Sequence, residues 1–200
     1  MRYKLALAIV LIPFLSISQE SGRSFQLGFT LSPTISWLTD DGSKLVSDGA
    51  KPGFSYGVIA DFGFAKNYFF STAFTLTSLN SEAKIATGTN KYRLQYIEVP
   101  LSLKLKSNTS GMGRFYGQFG LGTGVNVSAK KDDSSGKGIS ISSDVNTFRL
   151  GLIAGGGAEW NVGRNLNVVT GVTFNNGFTK TFNDYDSKNP FVTLNLGVFF

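Results

Sequence analysis

The stretch YIEVPLSLKLK, Tyr96 to Lys106, decides the fold. In an extended chain Ile97, Val99, Leu101, Leu103 and Leu105 fall on one face, and Glu98, Pro100, Ser102, Lys104 and Lys106 on the other. A soluble sheet would turn the apolar row into a core and the polar row toward water. A membrane barrel would turn the apolar row to lipid and the polar row to an enclosed interior. The rest of the chain discriminates between these two solvents.

Its 200 residues give room for one domain or one small barrel. The chain contains neither Cys nor His. That removes disulfides, Ser-His-Asp and Cys-His catalysis, and zinc sites built on imidazole or thiolate. Charged residues make up 16% of the chain, whereas a soluble surface carries roughly 25–35%. Aromatics reach 14%, with 18 Phe, and Gly numbers 24. This composition is poor for a surface facing water on all sides.

At the start, MRYKLALAIVLIPFLSISQE places Arg2 and Lys4 ahead of an apolar run, Leu5 to Leu15, too short to span a bilayer. Ser16 and Ser18 supply the small residues of a cleavage site before Gln19. Residues 1–18 are therefore expected to be a secretory signal peptide, leaving 19–200 as one barrel domain. No later segment has the roughly 20 apolar residues of a membrane helix. The remaining basic excess is scattered, so no nucleic-acid partner is expected.

Alternation recurs along the chain. FQLGFTLSPTISW puts Phe25, Leu27, Phe29, Leu31, Ile35 and Trp37 on one face, and FSYGVIADFGF does the same with Phe54, Tyr56, Val58, Phe62 and Phe64. Further strands are expected from Tyr68, from Lys91 through Lys106, in RFYGQFGLGTGVNV, in FRLGLIAGGGAEW, from Leu166, and in FVTLNLGVFF, eight in all. The apolar phase moves from Tyr92, Leu94 and Tyr96 to odd positions at Ile97, which predicts an inserted bulge residue there. Connections alternate long and short, the rhythm of an outer-membrane barrel. The polar faces are mostly Gly, Ser, Thr, Asn and Gln, suited to a crowded lumen. Phe25 and Trp37, Tyr92 and Tyr96, and Trp160 and Phe178 bracket the strands as interfacial girdles would. The fold expected is all-β: an eight-stranded antiparallel up-and-down transmembrane barrel of the OmpA/OmpX type, with the apolar rows facing lipid.

On that reading Asp61, Glu98, Lys104, Arg149 and Glu159 point inward and must find partners. Arg149 with Glu98 or with Glu159 is the first pairing expected. An eight-stranded barrel is about filled by its own side chains, so a wide pore is not expected. GLGTG at Gly120–Gly124 and AGGGAEW at Ala154–Trp160 resemble phosphate loops only superficially, since neither opens a helical pattern. The carboxylate pairs Asp132–Asp133 and Asp184–Asp186 are expected to solvate loops. No catalytic residue, cofactor or metal site is expected.

YIEVPLSLKLK, RFYGQFGLGTG, AGGGAEW and the terminal VFF together resemble the small outer-membrane β-barrel domain widespread in Bacteroidetes, called porin-family or PorT-like. The resemblance covers Phe25 to Phe200. It implies an outer-membrane, non-enzymatic envelope protein with outer loops available for interaction, or a subunit of a secretion or transport apparatus. A soluble periplasmic ligand-binding barrel is the further alternative. Leu196, Val198 and Phe200 resemble the signal read by the barrel-assembly machinery, although Asn195 stands where that signal usually has glycine. Implied partners are outer-membrane lipid, that machinery, and secretion-system or envelope proteins.

Overall fold

The computed structural model describes residues 24–40, 46–85, 88–134, 136–163, 165–183 and 186–200; the expected signal peptide lies outside them. Twelve strands follow in order: β1 (Phe25–Ser36), β2 (Thr39–Asp40), β3 (Val46–Ala65), β4 (Tyr68–Ile85), β5 (Gly88–Glu98), β6 (Leu101–Lys106), β7 (Gly113–Asp133), β8 (Gly136–Ser140), β9 (Phe148–Asn161), β10 (Asn167–Gly177), β11 (Ser187–Lys188) and β12 (Phe191–Phe199). β5 and β6 are two halves of one stave. Antiparallel pairing runs β1, β3, β4, β5 with β6, β7, β9, β10, β12 and back to β1. The ring therefore closes with eight staves and leaves no edge within it.

The apolar rows face outward. Phe29, Leu31, Phe74, Phe115, Phe119 and Leu121 are all exposed on the outer wall, while Ser32, Thr34, Asp61, Ser71, Ser102 and Lys104 are buried inside. An outer wall this apolar is incompatible with water but matches hydrocarbon. The lipid-facing reading of YIEVPLSLKLK is the one the fold adopts: Val99, Leu101 and Leu105 are exposed, and Glu98, Ser102, Lys104 and Lys106 are buried.

Four staves, among them the one that β5 and β6 form from Gly88 to Lys106, are far longer than the roughly 9–11 residues that cross a membrane. β3 has 20 residues, β4 has 18 and β7 has 21. Along β4 the outward residues change from Phe70, Thr72, Phe74 and Leu76 to Ser78, Asn80 and Glu82. At the same height the buried residues change from Ser71, Thr75 and Thr77 to Leu79, Ser81 and Ala83. Both faces swap polarity together because the stave leaves lipid and enters water.

This swap corrects the bulge expected at Ile97. Residues at even positions face inward without interruption from Asn90 to Lys106, and β4 pairs with β5 and β6 without any slip of register. Tyr92, Leu94 and Tyr96 are buried because the interior above the membrane is apolar. The bulge lies on the neighbouring stave: Gln95 pairs with Ser128 but Tyr96 pairs with Asn126, so Val127 is the extra residue in β7. Beyond it Ala129 turns inward, whereas Phe119, Leu121 and Val125 before it face out.

Tyr92 and Tyr96 are thus not part of an interfacial girdle. Phe25, Trp160 and Phe178 are exposed on the outer wall as expected of one, and Trp37 stacks on Phe174 at 6.3 Å. Tyr92 instead meets Phe182 at 4.8 Å, within an apolar cluster that includes Leu38, Leu79, Leu94, Ile141 and Val145. The connections after β8 and β10 fold back over the barrel mouth through the Val145–Phe182 bridge and the β2–β11 ribbon. Burying each such side chain contributes about 1.5–3 kcal/mol. The result is a water-soluble cap on a membrane barrel.

Pro100 interrupts the stave between β5 and β6. Backbone groups in hydrocarbon need partners, and here Thr72 Oγ1 donates to the Pro100 carbonyl at 2.8 Å and Thr123 Oγ1 to the Val99 carbonyl at 2.6 Å. GLGTG and AGGGAEW lie inside β7 and β9, with no helix among the described residues. The strand glycines serve packing: a Cβ on Gly171 would overlap the Tyr116 hydroxyl that lies across it.

Height along the wall sets the cost of charge. Leu121→Arg, amid the apolar belt, is expected to destabilise the barrel by about 2–4 kcal/mol, and Ser78→Arg, beyond the belt, by about 0–1 kcal/mol. Urea unfolding in lipid vesicles measures both, and equal losses would contradict the assigned membrane boundary.

Candidate functional site in the filled lumen

The lumen is layered, starting at the end that carries the short turns. There, Asp61 on β3 receives Lys104 at 3.0 Å and Lys106 at 2.6 Å, both from β6. Lys106 also reaches Glu159 on β9 at 2.7 Å, and Arg114 on β7 pairs with the other Glu159 oxygen at 2.7 Å. Gln26 Oε1 on β1 accepts from Lys106 at 2.7 Å and from Arg114 at 3.0 Å. Ser71 donates to Asp61 at 2.6 Å. The Lys106 ammonium also sits 4.1 Å from the centre of the Phe69 ring. Three cations and two carboxylates therefore share one compartment.

Above them lies a cavity of about 140 Å³ lined by hydroxyl and amide side chains, among them Thr30, Ser32, Thr75, Gln118, Thr193 and Asn195. Gln118 donates to Thr173 at 3.0 Å. A second charged layer closes this cavity. Arg149 Nη1 donates to Glu98 at 3.1 Å, while Nη2 donates to Asn175 at 3.0 Å and to the Asn189 carbonyl at 3.1 Å. The guanidinium lies 4.8 Å from the Phe191 ring centre. Since Asn189 belongs to the connection before β12, Arg149 holds that connection down onto the barrel. The apolar cap follows.

All five inward charges read from the sequence are buried, and the structure sorts them into two separate groups. Arg149 meets Glu98; Glu159 lies with Asp61 and Lys104 in the lower group, out of Arg149's ion pairs. Sequence reasoning missed Lys106, Arg114 and Gln26. Lys106 was findable, since it shares the face of Lys104 two residues on, and Arg114 shares the parity of Tyr116. Asp132 and Asp133 engage Arg93 at 2.7 Å and Lys131 at 2.8 Å. Among the described residues no cluster of three potential metal ligands occurs, and Asp184 lies outside them.

Residues 17–183 match the model of the outer membrane protein beta-barrel domain family. The chain belongs to that family. β12, beyond the matched range, is the stave that completes the family's barrel here. Solved structures share the fold at low identity. Neisserial surface protein A is 17% identical, with a TM-score of 0.52 over 90% of this chain and 98% of that one. OprG from Pseudomonas aeruginosa is 12% identical, with a TM-score of 0.55 over 90% and 96%. Ail, the attachment invasion locus protein of Yersinia pestis, is 17% identical, with a TM-score of 0.49 over 90% and 100%. No characterised protein matches the chain in sequence. Family membership and the apolar outer wall place this barrel domain in the outer membrane.

Glu159→Gln would leave the buried Lys104 and Lys106 and the half-buried Arg114 facing one carboxylate. Removing one member of a buried ionic group costs about 3–5 kcal/mol, and the same range is expected for Glu98→Gln. Denaturant titration in vesicles tests this, with Lys66→Gln at the exposed β3–β4 turn as the neutral reference.

Outside the membrane belt, Glu82 accepts Lys51 at 2.6 Å and Lys91 at 3.2 Å. The hydrogen bond from Lys51 is the leading cause that holds its carboxyl below the usual carboxylate range. A lowered folded-state value means that the stabilisation is present above the ordinary carboxylate pKa and is lost as pH falls through the lowered one. Amide protection at the long-loop ends of β3 and β4, measured relative to the intrinsic exchange rate at each pH, should therefore fall on acidification, and Glu82→Gln should abolish that acid step.

Proposed function

We propose that this chain is a non-enzymatic component of the cell envelope: a sealed outer-membrane barrel that presents its long-loop end to the exterior and keeps its short turns and terminal strands at the periplasmic side. The observation that carries this reading is the closure of the lumen at two levels, by the buried charges below and by the apolar cap above. A lumen blocked twice supports anchoring and display rather than diffusion. The absence of His and Cys from the sequence supports a non-enzymatic role. Leu196, exposed on the lipid face of β12, and the exposed Phe200 just after that strand suit recognition by the barrel-assembly machinery, with Val198 between them.

A subunit of a secretion or transport apparatus, the role implied by the PorT-like resemblance, is a second reading. It is favoured by β8, which among the described residues pairs with β7 alone and so offers a strand edge at the long-loop end. Partners that co-purify in mild detergent and are lost on replacing Ile139 by Pro would support it.

Reconstituted into planar bilayers, the protein is expected to show no stable open-channel steps, and large persistent steps would contradict the sealed barrel. For orientation, a Lys137→Cys variant should react with a membrane-impermeant maleimide in intact cells. A Lys66→Cys variant should react only after the outer membrane is permeabilised. The reverse pattern would invert the assignment of ends.

A further inference from the structure

Pairing register aligns residues of neighbouring staves into rungs around the wall. One outward rung is Tyr56, Leu76, Ile97 and Val125, all apolar. The next is Phe54, Ser78, Gln95 and Ser128, polar from β4 onward, and the one after is Asn80, Arg93, Lys130 and Ser140. Two residues along β4 and β5, and three along the bulged β7, thus separate lipid-facing apolar side chains from amides and cations. Between those upper rungs lies a groove of about 360 Å³, lined by Ser78, Asn80, Arg93, Gln95, Ser128 and Lys130.

The groove carries a net positive charge. Asp132 occupies one side of Arg93 at 2.7 Å, and Glu82 is taken up by Lys51 and Lys91. Lys130 is exposed and makes no ion pair among the described residues. Arg93 has further N–H groups to donate, and a guanidinium beside a free ammonium, ringed by hydroxyls and amides, is chemistry that recognises a phosphorylated sugar.

We propose that this groove binds the phosphorylated headgroup of an outer-leaflet glycolipid, whose acyl chains lie along the apolar rung of Leu76, Ile97 and Val125. Position favours a lipid over a free phosphate, because the cations open onto the edge of the hydrocarbon belt. The bulge at Val127 contributes by adding an apolar side chain to β7 directly below Lys130. This inference rests on the orientation proposed above, in which the long-loop end faces the outer leaflet.

Native mass spectrometry of the full barrel domain, folded in mixed micelles with bis-phosphorylated lipid A, tests it. The wild-type protein should retain the lipid, and Arg93→Gln with Lys130→Gln should lower retention at least tenfold. Lys130→Gln alone should lower it about threefold. Each variant is checked for heat-modifiable migration, and Lys66→Gln at the opposite rim should bind as wild type. Dephosphorylated lipid A should bind no better than the double variant does. Undiminished retention by Lys130→Gln and by the double variant would overturn the proposal. Displacement of lipid A by millimolar glucosamine 6-phosphate would overturn its lipid source. The cysteine labelling reports orientation separately, so a wrong assignment of ends and an absent lipid site give different results.

Discussion

A polypeptide that crosses hydrocarbon must pair every backbone N–H and C=O within itself, and the rest of this structure depends on that constraint. It forces the staves into a closed ring and makes an interruption such as Pro100 tolerable only where Thr72 and Thr123 supply side-chain hydroxyls to the displaced carbonyls. The closed ring in turn creates a narrow interior that water cannot solvate freely. That interior then needs internal pairing of its own, which the two charged layers provide.

Two solvents meet along single strands of this protein, and this governs how much of it was legible. The alternation in YIEVPLSLKLK gave both the strand and its orientation, because the large apolar side chains and the small polar ones belong to faces of unequal character. The same logic failed one residue earlier. Tyr92, Leu94 and Tyr96 continue on the inward face, but their neighbours across the mouth, such as Leu38 and Phe182, arrive from distant connections whose path no local period encodes. A change of solvent therefore resembled a change of phase. The true irregularity, at Val127, was hidden because Val is acceptable on either side of a bulge.

For the inward charges, period two gives the face and not the partner. Glu98 and Glu159 share the lumen with Arg149, but choosing between them requires their heights along the barrel, which depend on stagger across several staves. Lys106 and Arg114 lie close to strand ends, where a charge reads most naturally as exposed. Burial comes from Phe69, Tyr116 and Phe199, which converge on the lower compartment from three different staves.

Gln26 gives the lower compartment a further significance. Its amide oxygen, contributed by the first stave, accepts from Lys106 and Arg114, while Phe199 of the last stave faces the ammonium groups of Lys104 and Lys106. The compartment thus joins both ends of the barrel to its middle. A half-assembled sheet would hold Asp61, Lys104 and Lys106 without Glu159 or the closing aromatic ring, leaving cations in excess beside lipid. The compartment is therefore complete only when β9 has brought Glu159 and β12 has brought the Phe199 ring, so its contacts couple the middle of the sheet to the closing of the seam.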